Sequence, residues 1–159
     1  MPRILVCSDS HSRADLLALA FEQQPTAECF VFLGDGVQDA AFFSNRLQTY
    51  IVRGNCDGSA PYPLWQEFTL LGKKIMCTHG HGSYVKYSDA DLLYTAKANG
   101  AALVLYGHTH VPRIAYEEGV HLFNPGSINA GAYGFVDITP AGIICRNLKV
   151  RRWFEREIT

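Results

Sequence analysis

RILVC (residues 3–7), SDSHS (8–12) and ADLLALAFEQ (14–23) form one continuous pattern: a short β-type run, a polar loop, then apolar residues returning at helical intervals. The reading is strand, loop, helix. The order recurs at once, because Cys29 to Leu33 predicts a strand halted by Gly34-Asp35-Gly36 and Val37 to Leu47 predicts a helix. Thr49 to Arg53 then gives a third strand, ending at Gly54-Asn55-Cys56-Asp57. Repeated strand-helix alternation implies a parallel sheet, and ligands of such sheets gather where loops leave the carboxyl ends of the strands.

Beyond Pro61 and Pro63, Gln66 to Leu71 and Lys74 to Cys77 read as a hairpin around Gly72, and the second strand runs into Thr78-His79-Gly80-His81. Ser88 to Asn99 predicts a helix with Ser88 as its N-cap and Gly100 beyond its end. Ala101 to Tyr106 is a buried strand that delivers Gly107-His108-Thr109-His110. Arg113 to Tyr116, Val120 to Phe123, Tyr133 to Ile138 and Ile143 to Val150 read as strands of a second sheet. No repeat, low-complexity tract or linker interrupts them, and 159 residues at 48% hydrophobic suffice for one substantial core. Residues 1–159 therefore read as a single domain.

A charged fraction of 18% and a net charge of -1 leave no strong single-sign field to attract nucleic acid or anionic lipid. The start of the chain has neither a basic leader nor an apolar span of membrane length, so a cytosolic location without a membrane partner is expected. The five cysteines, at positions 7, 29, 56, 77 and 145, are odd in number and show no Cys-x-x-Cys spacing, which predicts reduced thiols.

The chemistry lies in the strand-end loops. They carry Asp9 and His11, Asp35, Asn55, His79, and His108 with His110, so all these donors are expected at one sheet edge. Two carboxylates, one amide oxygen and four imidazoles make a mixed oxygen and nitrogen set, unlike the thiolate-rich set of structural zinc. Seven donors exceed one tetrahedral site. Two cations sharing a carboxylate would satisfy them, and paired divalent metals are the usual means of hydrolysing phosphate esters.

Asp9-Ser10-His11, Gly34-Asp35, Gly54-Asn55-Cys56-Asp57, Thr78-His79-Gly80 and Gly107-His108-Thr109-His110 resemble, in order, the motifs of calcineurin-like metallophosphoesterases. Asn124-Pro125-Gly126-Ser127 is similar to a loop of their compact, YfcE-like phosphodiesterase branch. The resemblance implies an α/β (α+β) fold: a four-layer αββα sandwich of two mixed sheets flanked by helices. It also implies that Asp9, His11 and His110 hold a first cation, that Asn55, His79 and His108 hold a second, and that Asp35 bridges them. The implied enzyme is a metal-dependent phosphoric diester hydrolase acting on a small phosphodiester through a hydroxide activated between two metals. Manganese is the metal implied, while the donor set also suits iron, zinc, cobalt or nickel.

Asp35, Asn55 and His81 are the candidate catalytic residues. The family often has His where this chain has Cys56, so His81 is a candidate acid in its stead, the alternative being a supporting or solvent-facing role. Cys56 either fills space beside Asn55 or reacts. Asp57 is expected to orient the Asn55 loop or a metal-bound histidine, and His121 to be structural. The 124–127 turn should pack against the metal loops, with Ser127 a possible phosphate contact. Two other readings stand beside hydrolysis: a protein-interaction scaffold of the same fold, as in a retromer subunit that resembles these enzymes, and a nuclease, which lacks support from any Lys/Arg cluster. Tyr62, Trp65 and Trp153 are candidates for a homodimer contact.

Overall fold

Alternation of apolar side chains along the strands decides how the layers stack. In the computed structural model, which describes residues 2–151, β1 (Arg3–Cys7) sends Leu5 and Cys7 to one side and Ile4 and Val6 to the other. β2 (Cys29–Phe32) repeats the division, with Phe30 and Phe32 opposed to Cys29 and Val31. Leu5, Phe30 and Phe32 pack beneath Leu17 and Ala20 of α1 (Ala14–Gln23) and Val37 and Ala40 of α2 (Val37–Ala41). Ile4, Val6 and Val31 meet Ile75, Cys77, Leu103, Leu105 and Phe123 of a second sheet. Behind that sheet, Met76, Val104 and Leu122 pack against Leu92 and Ala96 of α3 (Ala90–Ala98). Three apolar layers separate helices, sheet, sheet and helix, which is the expected αββα sandwich.

The first sheet combines β1 and β2 with β3 (Gln48–Ile51), β9 (Ala132–Thr139) and β10 (Gly142–Lys149), in the order β10-β9-β1-β2-β3. β1, β2 and β3 are parallel, and β9 lies antiparallel to β1 with Ile4 opposite Val136. The second sheet runs β4 (Trp65–Leu70), β5 (Lys73–Thr78), β6 (Leu103–Leu105), β8 (Val120–Asn124) and β7 (Arg113–Glu117), with β5, β6 and β8 parallel. Both sheets are mixed.

Three sequence expectations change. The strands near 133–138 and 143–150 return to the first sheet instead of extending the second, because apolar alternation fixes which face is buried and leaves the pairing partner open. The helix foreseen over 37–47 ends at Ala41 and tightens into i to i+3 turns, with the Ser44 hydroxyl donating to the Ala41 carbonyl (2.8 Å). At α3 the N-cap position falls to Asp89, although the Ser88 hydroxyl still accepts the Ala90 N–H (3.2 Å). Tyr62 and Trp65 are half-buried, packed on the α1 side and the α3 side respectively, and Trp153 lies outside the described residues. Among the described residues all five expected free thiols are unbridged.

Gly134 of β9 leaves no room for a side chain. A Cβ there would fall on the Phe123 ring of the facing sheet and on the Arg146 carbonyl of the neighbouring strand. Asp57 performs a different task at the sheet edge. Its carboxylate accepts the N–H groups of Asp35 (2.7 Å), Gly36 (2.9 Å) and Val37 (3.2 Å) from the loop after β2, and that of Gly54 (2.6 Å) from its own loop after β3. One side chain thus ties two loops together, as expected for the Asn55 loop.

Two outcomes follow for unfolding in urea. Gly134→Ala is expected to lose about 2 kcal/mol by overpacking the interface between the sheets. Asp57→Ala, which strands four backbone donors, is expected to lose about 3 kcal/mol in metal-free protein. A loss below about 1 kcal/mol for Asp57→Ala would mean that water replaces the carboxylate and the loops are held by other means.

Candidate metal centre

The loops that follow the parallel strands of both sheets are hydrogen-bonded to one another. Asp9 N–H donates to the Gly34 carbonyl (2.9 Å), His11 N–H to Asp35 (3.2 Å) and Gly107 N–H to His79 (3.0 Å). Ile128 N–H reaches back to the Ser8 carbonyl (2.9 Å). Within this mesh Asp9, His11, Asp35, His108 and His110 all take left-handed backbone angles, with φ between 42° and 69°. Such angles cost non-glycine residues energy and persist where the surroundings over-determine them, as at functional sites. The turns also need room: a Cβ on Gly54 would collide with the Asp35 carboxylate.

The side chains converge in two sets. Asp9, His11 and His110 bring candidate ligand atoms within 4.8 Å of one another, and so do Asp35, His79 and His108. The sets adjoin, because Asp9 Oδ1 lies 3.2 Å from His110 Nε2, 3.8 Å from His11 Nε2 and 3.8 Å from His79 Nε2. Asp9 and His79 have no exposed surface. Asp35 divides its oxygens, Oδ2 facing His79 Nε2 (3.2 Å) and Oδ1 accepting the Cys56 N–H (2.8 Å).

Proton placement makes this arrangement suited to cations. The Leu33 carbonyl can only accept, so His79 Nδ1 carries a hydrogen and donates it across the sheets (2.6 Å). Nε2 then faces Asp35, Asp9 and, at 3.1 Å, His108 Nδ1. In a neutral imidazole Nε2 is itself an acceptor, so acceptors confront acceptors and a positive ion is needed between them. A proton can serve: burial disfavours the His79 cation, but the carboxylates of Asp35 and Asp9 outweigh it and raise its pKa. A divalent metal would serve both sets at once. The residues present fit metal ions on these grounds.

The neighbouring groups respond to the same field. Burial opposes ionisation of Asp35, yet the hydrogen bond and charge of His79, with the Cys56 N–H, hold its carboxyl well below the usual range. Asp9 is pushed up by burial, against the pull of His79, Ser8 and His110. His108 is pushed down to about 4 by burial and then by the His79 charge.

Six of the seven expected ligands meet in the two sets. Asn55, the seventh, is exposed on the loop whose next residue donates its N–H to Asp35, with its amide nitrogen 3.7 Å from Cys56 Sγ. His81 begins a 3-10 turn beside the cluster, its ring centroid 5.5 Å from that of His79. Its Nδ1 is buried with no hydrogen-bond partner, and burial followed by the His79 charge lowers its pKa. His121 of β8 packs on Tyr116 of β7, with ring centroids 4.6 Å apart. Ser127 is buried and donates to the Asp9 carbonyl (2.8 Å), which corrects its expected role as a phosphate contact. Asn124 ties the same turn to Gly107 and Thr109 (3.0 Å each).

Sequence reasoning missed Ser8, whose hydroxyl donates to Asp9 Oδ2, and the pair formed by Ser10 and Asp39 (2.6 Å). Ser8 and Ser10 flank Asp9 in the chain, and that adjacency was the one available signal.

A family profile described as the calcineurin-like phosphoesterase superfamily domain matches residues 2–138. The chain is 27% identical over 179 aligned positions to phosphodiesterase YfcE of Escherichia coli K12, covering 92% of this chain and 94% of that protein. It is 29% identical over 127 positions to the probable metallophosphoesterase YsnB of Bacillus subtilis 168, covering 79% of this chain and 74% of YsnB. The crystal structure of a predicted phosphoesterase from Streptococcus pneumoniae TIGR4 superposes with a TM-score of 0.81 at 28% identity, over 93% of this chain and 89% of that one. With the fold, the strand-end donors and the profile in agreement, the chain belongs to the calcineurin-like phosphoesterase superfamily.

Proposed function

We propose that this protein is a metal-dependent phosphodiesterase that hydrolyses a small phosphodiester at a two-metal centre. The observation that carries the reading is the meeting of two ligand sets around the fully buried Asp9 and His79. Asp9, His11 and His110 would hold one cation, and His79, His108 and Asn55 the other, with Asp35 shared. When bound, such cations polarise phosphate oxygens and lower the pKa of water. Manganese is the metal proposed, by family resemblance.

The chain's own residues orient these groups and select the substrate. Leu33 fixes the tautomer of His79, while Asp57 and Ser127 hold the loops that present Asp35 and Asp9. A cleft of about 290 Å³ beside the centre is lined by His11, Ser12, Asp35, Gly36, Val37, Gln38, Asp39, Cys56, Asp57 and Ala60, none of them Lys or Arg. A monoester brings more negative charge than a diester, so a lining without Lys or Arg favours the diester. Cys56 offers no imidazole to protonate a leaving oxygen, which favours groups that leave readily as anions. His81, kept neutral by burial and the His79 charge, serves in this reading to accept or relay a hydrogen bond near the cluster.

Turnover of aryl diesters, aryl monoesters and cyclic nucleotides by chelated and manganese-reconstituted protein tests the reading. Aryl diesters should be hydrolysed fastest, and chelation should abolish the activity reversibly. Undiminished turnover after rigorous chelation would overturn it. Asp35→Asn is expected to keep the circular dichroism of the parent while metal content and kcat/KM fall together, the latter by about a hundredfold or more.

A further inference from the structure

At the end of the sandwich opposite the metal loops, a cavity of about 380 Å³ opens between the two sheets. Ile75, Leu103 and Phe123 fill the core between those sheets, and strand alternation puts Lys73 and His121, two residues before Ile75 and Phe123, on the same inward face. The register agrees, because Leu103 pairs with both Ile75 and His121. Tyr116 of β7 lies opposite His121, and its ring tilts against the imidazole. From the first sheet, the turn between β9 and β10 brings Ala141, Gly142 and Ile143 to the same cavity. The length of β5 separates Lys73 from His79, about 20 Å at the rise of a strand, so the cavity is no part of the metal centre.

The lining holds two basic side chains, Lys73 and His121, and no carboxylate. Acids close by are engaged elsewhere: Glu117 faces Arg113 (3.7 Å), Glu118 meets Lys97 (3.0 Å) and Glu67 meets Lys74 (3.4 Å). Lys74 points to the other face of β5, where it also donates to the Asn99 carbonyl (3.0 Å). Among the described residues no ion pair engages Lys73. Its uncompensated charge reaches His121, whose pKa is lowered by burial and then by Lys73. An anion between the two removes that repulsion and gives both a partner. The turn offers no free donors, since Thr139 Oγ1 accepts the N–H groups of Ala141 (3.1 Å) and Gly142 (3.0 Å), so charge recognition falls to Lys73 and His121. Tyr116, 65% exposed, supplies an aromatic face beside them.

We propose that this cavity is a second, non-catalytic binding site for a small ring-bearing phosphomonoester, with Lys73 and His121 holding the phosphate and Tyr116 packing on the ring. A phosphomonoester carries close to two negative charges at neutral pH, which matches an ammonium and an imidazole that takes up a proton as the anion arrives. The volume lies at the lower end of small-ligand sites and suits one such molecule more than a polymer. Binding here needs no metal, so the site stands independently of the hydrolase reading.

The test follows the imidazole proton signals of chelated full-length protein by NMR, with that of His121 assigned by its loss in His121→Gln. Adenosine 5'-monophosphate should move the His121 signal saturably below about 10 mM, while inorganic phosphate and adenosine should each act about fivefold more weakly or less. Lys73→Gln and Tyr116→Ala should each weaken the nucleotide about fivefold, and Lys73→Arg should keep its affinity. The remaining histidine signals, unchanged among the free variants, report an intact fold. A His121 signal that stays still while the histidines of the metal loops move would mean binding at the metal centre only, and would overturn the site. A response as strong with adenosine alone, or one undiminished in Lys73→Gln, would overturn it as well.

Discussion

Asp9 is a carboxylate without exposed surface, and a buried charge persists only where fixed partners replace water. Its partners come from every side: the Ser8 hydroxyl, the His108 N–H (3.3 Å), and the imidazoles of His110 and His79. Two of those histidines sit on the loop after β6 and one on the loop after β5, so the charge at the end of the first sheet is met by the second. His79 supplies the return link through the Leu33 carbonyl at the end of β2. The sandwich and the site are therefore one construction. Sliding the sheets past each other would leave the Asp9 carboxylate without its histidine partners and His79 without its acceptor.

The same constraint explains the backbone. Donors on adjacent strand ends point outward by default, and turning five of them inward forces left-handed angles at Asp9, His11, Asp35, His108 and His110. Hydrogen bonds from Asp57, Asn124 and Ser127 hold those turns. These three side chains need not touch a ligand to matter, since they fix the positions of groups that do. The 124–127 turn, tight because Gly126 takes a φ of 80°, also closes the mesh between β8 and β1.

The cleft beside the cluster is lined by side chains from the loops after β1, β2 and β3 and from α2, none of them Lys or Arg. α2, which starts just after Asp35, carries Val37, Gln38 and Asp39 of that lining.

Strand, loop and helix repeating with short spacings made a parallel sheet and its donor-bearing loops legible in the sequence, and the four-layer sandwich followed from the resemblance that those loops carry. Periodicity of two shows which side chains are buried, and an ordered set of polar residues after apolar runs shows where chemistry gathers. Tertiary structure alone decided that β9 and β10 join the first sheet, that α2 stops at Ala41, that Asp57 ties the loop after β2 to its own, and that the Ser127 hydroxyl is spent on the Asp9 carbonyl. These depend on contacts between residues far apart in the chain. Arg3 to Asp137 and Asp9 to Ser127 are set by packing and hydrogen-bond closure in three dimensions, and local pattern holds no record of either.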